Sequence, residues 1–114
     1  MLRESVTYVI ARNETWTGAA ATEPVEAGWA TEAVFFVRAL ADPLADPEGR
    51  LPRIRAQISP DGMRWIDEGA CAPMPTSVDD LQALRVRHFG NWLRLKADLP
   101  DGARCTVLVT VHLK

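Results

Sequence analysis

Residues 92–114 constrain the fold more than any other stretch of the chain. They read WLRLKADL, then PDG, then ARCTVLVTVHLK. Leu93, Leu95, Ala97 and Leu99 alternate with Trp92, Arg94, Lys96 and Asp98, the period-2 pattern of a strand with one buried face. Pro100, Asp101 and Gly102 supply turn chemistry: Pro presets φ, Asp bonds back to the backbone and Gly accepts a positive φ. The next run places Cys105, Val107, Val109, Val111 and Leu113 on one face and Thr106, Leu108, Thr110 and His112 on the other. A β-branched run that is apolar or only mildly polar on both faces fits a central strand better than an edge. The two runs are therefore expected to form a hairpin in the middle of a sheet.

The other strands follow from the same alternation. Residues 5–12 place Val6, Tyr8 and Ile10 on one face and Thr7, Val9 and Ala11 on the other. Residues 13–28 mix turn formers with small residues and predict a loop or extended arm, with Trp16 as its one large anchor. Residues 33–40 have enough Ala and Leu for a helix, but the run Val34, Phe35, Phe36, Val37 reads as a strand buried on both faces. Residues 42–49 hold two Asp-Pro steps and a Gly, and predict a loop. Residues 51–59 alternate Ile54, Ala56 and Ile58 with Arg53, Arg55 and Gln57; Pro52 marks an edge or a strand start. The turn SPDG joins them to a return strand over residues 63–67, a second hairpin. Residues 68–80 read as irregular, with a short helical turn at 77–81 capped by Ser77. Residues 84–89 read as a strand with Leu84, Val86 and His88 on one face and Arg85, Arg87 and Phe89 on the other.

Seven to eight short strands with turn signals between them predict an all-β fold, an antiparallel β-sandwich of jelly-roll type, in one domain over residues 1–114. Its inner face should hold Val6, Tyr8, Ile10, Phe36, Ile54, Ile58, Trp65, Val86, Leu93, Leu95, Val107, Val109 and Val111. A chain of 114 residues, 47% hydrophobic and 25% charged, can build such a core without metal or disulfide staples. The run ISPDGMRWIDEG, followed by FGNWLRLKADLPDG, resembles the hairpin rhythm of small jelly-roll modules, including appended binding domains and phage-type structural proteins. That is a resemblance of architecture, and no residue role is carried over from it.

The sequence offers no catalytic or cofactor motif: no GxSxG, GxGxxG or P-loop, and no metal-type spacing of its two cysteines. His88 and His112 fall within separate predicted strands, and an active site would require them to converge with an acid such as Asp67. Adjacent acids at Asp67-Glu68 and Asp79-Asp80 fit solvated loops or helix caps. Cys105 reads as a buried free thiol; a Cys71–Cys105 bridge needs the segment holding Cys71 to lie over the last strand. No apolar run approaches the roughly 18 residues of a membrane helix. The first residues lack the charged and apolar regions of a secretory signal, so the expected location is cytoplasmic or within a larger assembly.

Charge is distributed unevenly. Residues 1–49 carry three bases (Arg3, Arg12, Arg38) against eight acids, and residues 50–96 carry eight bases against five acids. Arg53 and Arg55 share a strand face, as do Arg85 and Arg87, and Arg94 and Lys96 with Trp92. Side by side, these strands would give one Arg-rich face. It could be a solvated face whose arginines pair with acids across strands, or a contact surface, since Arg and Trp anchor interfaces. Trp16 must bury its ring, either on its own sandwich or on a neighbouring copy. The expectation is a non-catalytic structural or binding module that self-associates, with Trp16, Arg53, Arg55, Arg85, Arg87, Trp92 and Arg94 as contact residues. Its partners would be further copies or a larger protein assembly, and no cofactor is implied. The alternative is a carbohydrate-binding sandwich that stacks exposed aromatics on a glycan. Nucleic acid is disfavoured by the formal charge of −2 and by the lack of a dense Lys/Arg patch.

Overall fold

A computed structural model describes residues 4–114; Arg3, counted among the bases above, lies outside them. Nine strands follow in chain order: β1 (Val6–Trp16), β2 (Ala19–Ala21), β3 (Val25–Glu26), β4 (Glu32–Ala39), β5 (Arg53–Ser59), β6 (Ile66–Pro73), β7 (Leu81–Arg87), β8 (Trp92–Asp98) and β9 (Cys105–Leu113). The first sheet has the order β1-β9-β4-β7, the second β2-β8-β5-β6, with β3 also paired to β8. Every pairing is antiparallel. The nesting of β1 with β9, β2 with β8, β4 with β7 and β5 with β6 is jelly-roll winding.

The closing segment differs from its expected form. β8 and β9 are both central, but they lie in different sheets and do not pair. Pro100 to Ala103 forms the turn, closed by Ala103 N–H donating to the Pro100 carbonyl, and it carries the chain across the sandwich. The buried faces match the alternation of the sequence: Leu93, Leu95 and Ala97 of β8, and Cys105, Val107, Val109, Val111 and Leu113 of β9, are buried in the common core. The two strands lie in facing layers because two buried faces are best satisfied by each other.

β4 is buried on one face only. Ala33, Phe35, Val37 and Ala39 point inward, while Phe36 is 36% exposed. Tyr8, on edge strand β1, is 42% exposed, and Val6, Ile58 and Trp65 are half-buried. The register of β1 against β9 slips between Val9 and Ala11 and again between Ala11 and Glu14, where Asn13 takes φ 52°. These slips let Ile10, Ala11 and Trp16 all enter the core. The segment expected as a loop or arm is β1 running on to Trp16, then β2 and β3 laid along β8.

Two further differences have local causes. His88 has φ 53°, so the alternation of β7 breaks there: His88 is exposed and Phe89 turns in to 3% exposure. The return strand β6 starts at Ile66 and continues through residues expected to be irregular, with a bulge opposite Arg55 and Gln57 where Gly69 has φ 119°. The helical turn expected at 77–81 is a non-helical turn in which Ser77 Oγ accepts from the Asp79 N–H.

Candidate interaction surfaces

The outer face of the second sheet gathers Arg53, Arg55, Trp92 and Arg94, four of the seven residues expected to act together. Across one row, β8 Arg94 stands beside β5 Gln57, which stands beside β6 Asp67. Arg94 Nε donates to Gln57 Oε1 at 2.8 Å, and Gln57 Nε2 donates to Asp67 Oδ1 at 2.9 Å. The Arg94 guanidinium carbon lies 4.3 Å from the centroid of the Trp65 ring, a cation–π stack. In the next row Arg55 holds two carboxylates, Asp67 Oδ1 at 3.0 Å and Asp98 Oδ2 at 2.8 Å. Lys96 Nζ lies 3.2 Å from Asp98 Oδ1, and Arg53 Nε donates to Cys71 Sγ at 3.4 Å.

The electrostatics follow from these contacts. The hydrogen bond to Asp98, then that to Asp67, raises the pKa of Arg55. Arg55 in turn holds Asp98 below the usual carboxylate range, and Gln57 followed by Arg55 does the same for Asp67. Arg94 is the reverse case: burial, then the neighbouring Arg55 charge, lowers its pKa. Arg55 and Lys96 are thus paired with acids across and along their strands, whereas Arg53 and Arg94 have no carboxylate partner among the described residues. Gln57, Asp67 and Trp65 complete the network. Gln57 could have been found from its phase with Arg53 and Arg55; the bulge in β6 hid Asp67.

Both indoles of this face are in use. Trp65 carries Arg94, and the turn after β5 rests on Trp92. Ser59 Oγ accepts from the Gly62 N–H at 2.8 Å, and Asp61 Oδ1 accepts from the Met63 and Arg64 N–H groups, tightening the SPDG turn. Gly62 has φ 80°, and a β-carbon there would lie 3.3 Å from Trp92 Cε2, so Gly serves both the turn and the close approach.

The remaining expected residues lie elsewhere. Arg85 and Arg87 are on β7, in the first sheet, so the single Arg-rich face is split between two sheets. Trp16 is 3% exposed in the core, with Nε1 donating to Glu14 Oε1 at 3.3 Å, so its ring is a core element and not a projecting contact.

The outer face of the first sheet was not singled out by the sequence, and its composition is unlike the other. One row across β1, β9, β4 and β7 holds Val9, Thr110, Phe36 and Ala83. The rows beside it bring in Thr7, His112 and Val34 on one side and Leu108 and Leu81 on the other, with Arg85 and Arg38 toward β7. Leu40 continues the face beyond β4. Val9, Phe36, Leu40 and Leu81 are exposed, and Val34 and Leu108 are half-buried. The signal was present in the two-sided apolarity of residues 33–40 and of the last strand.

Among the described residues, His88, His112 and Asp67 do not converge. His112 sits on the outer face of the first sheet, its Nδ1 2.9 Å from Thr7 Oγ1. His88 lines a pocket of about 310 Å³ at one end of the sandwich with Ile58, Ile66, Phe89 and Asn91. Asp67 is on the outer face of the second sheet. Cys71 is exposed on that same face, whereas Cys105 points inward from the first sheet, and both are free. Burial pushes the Cys105 thiol up to about 11. A thiol-reactive dye should therefore titrate one cysteine in the native protein and two in denaturant; two fast-reacting thiols in the native state would refute this placement.

Fold and surfaces together define a β-sandwich of jelly-roll type. No family model matches the chain, and no curated protein sequence matches it. Among solved structures the chain is similar to the SPBc2 prophage-derived protein YomS, at 8% identity and TM-score 0.62, over 96% of this chain and 92% of that one. It is also similar to the PBSX exported protein XepA, at 11% identity and TM-score 0.66, over 95% of this chain and 36% of that one. At such identities the likeness is one of fold.

Proposed function

We propose that the protein is a non-catalytic structural module that self-associates, its copies meeting through the outer face of the first sheet. The observation that carries this reading is the set of exposed apolar side chains spread over that face: Phe36 on central β4, Val9 and Leu81 on the two edge strands and Leu40 just beyond β4, with Val34 and Leu108 half-buried among them. Two sheets of the same twist can stack face to face about 10 Å apart, so a second copy is a shape-matched occupant.

Area sets the strength of the contact. Strands about 4.8 Å apart and about seven residues long give a four-stranded face of roughly 450 Å². Two such faces together remove on the order of 1,000 Å² from water, near the lower bound of a specific interface. Association is therefore weak and concentration-dependent. The carbohydrate-binding alternative has less support, because Trp16 is buried and both Trp65 and Trp92 have a ring face covered, leaving Trp29 as the exposed indole.

Light scattering on a sizing column tests the proposal. The wild-type mass should rise from 12.6 kDa toward twice that value with concentration, while Phe36→Asp, folded by circular dichroism, should stay monomeric. A wild-type mass that never exceeds the monomer's sinks self-association.

A further inference from the structure

We propose that Arg94 anchors a second, separate contact site, a preset seat on the second sheet for one Asp or Glu side chain of a partner protein. The contrast with Arg55 carries the argument. Among the described arginines only these two are half-buried; the rest are exposed. Arg55 is matched by two carboxylates, Asp67 and Asp98. Arg94 is matched by none: its partners among the described residues are the Gln57 amide oxygen and the face of Trp65. A cation partly removed from water without a countercharge is costly, and a carboxylate supplied from outside offsets that cost.

The site is also held ready. The stack on Trp65 fixes the plane of the guanidinium, and the Nε bond to Gln57 fixes its rotation. Gln57 is itself held by Asp67. Nη1 and Nη2 make no hydrogen bond or ion pair among the described residues, and this pair of donors is the fork that grips a carboxylate with two parallel bonds. Little side-chain freedom remains to be lost on binding.

The surroundings narrow the ligand. Asp67 and Asp98 interrupt the positive charge of this sheet face, so it lacks the continuous basic stripe that tracks a nucleic-acid backbone, while a single carboxylate needs only the Arg94 fork. A sugar acid would gain little from ring stacking, since Arg94 itself covers Trp65 and the Gly62 turn covers one face of Trp92. An acidic side chain on a protein loop needs neither.

Nitrogen-15 NMR of the full chain reads the site directly, through the Arg94 Nε–H and Trp65 indole N–H resonances. The probe is a capped Gly-Glu-Gly peptide, set against capped Gly-Gln-Gly, sodium chloride at equal ionic strength, and glucuronate. The Glu peptide should shift both resonances saturably, with the Gln peptide at least about fivefold weaker. Arg94→Met should abolish the Trp65 response and Arg53→Met should keep it. Arg94→Lys, which keeps the charge and loses the fork, should bind at least about fivefold more weakly. No shift with the Glu peptide, an equal shift with salt alone, a response to glucuronate alone, or a Trp65 response that survives in Arg94→Met would each overturn the proposal.

Discussion

Trp16→Ala should lower the unfolding free energy by about 3–5 kcal/mol, the range for removing a large aromatic from a packed core. The ring is 3% exposed, at the end of β1, where the chain leaves the first sheet for the edge of the second. Its loss empties a cavity at that crossing and leaves Glu14 without the indole N–H that it accepts. With a urea m-value of about 1–3 kcal/mol/M, the midpoint should fall by at least about 1 M. The same substitution should leave the association of the folded fraction unchanged, because the ring touches neither outer face. A variant of near wild-type stability that has lost self-association would show that Trp16 reaches a neighbouring copy after all.

Phe35 and Phe36 make the second test, since adjacent residues of one type should behave oppositely. Phe35 is fully buried (0% exposed) between the sheets, and Phe36 faces outward from the same strand. Phe35→Ala should cost about 3–5 kcal/mol of stability. Phe36→Ala should cost less than about 1 kcal/mol in the monomer while weakening self-association. Chemical denaturation of both variants at low concentration, together with their masses at high concentration, separates the two roles. Equal destabilisation would mean that β4 is covered on both faces, and the outer face could not be a contact surface.

The sequence showed which residues pair with the core far better than which strands pair with each other. Alternation is a property of one strand, so the inward sets of β8 and β9 could be read directly. Partnership is not: the PDG turn suits a hairpin and an arch equally well, and the choice depended on how many buried faces had to be matched across the sandwich. β4 misled for a related reason. Its outer face is apolar, and apolarity alone does not distinguish a face covered by the same chain from one left open. His88 hid the inward turn of Phe89, because a histidine in the left-handed region carries no sequence signature. The Arg-rich face was half legible. The phase of Arg53, Arg55, Arg94 and Trp92 placed each side chain outward, while the strand order, unknown until the fold was seen, sent Arg85 and Arg87 to the other sheet.

The position of β9 bears on how the chain is made. It is the last of the nine strands in chain order, yet it sits between β1 and β4, which have no other link within the first sheet. During synthesis β1 and the facing edge of β4 must therefore wait with their ladder N–H and C=O groups unpaired until the ninth strand emerges. Assembly of that sheet is a late, long-range event, the slow kind of contact to form and the kind that leaves edges open to wrong partners. A chain interrupted before Cys105 should not be a smaller working version of the protein. It should be a sticky fragment, a natural client for chaperones.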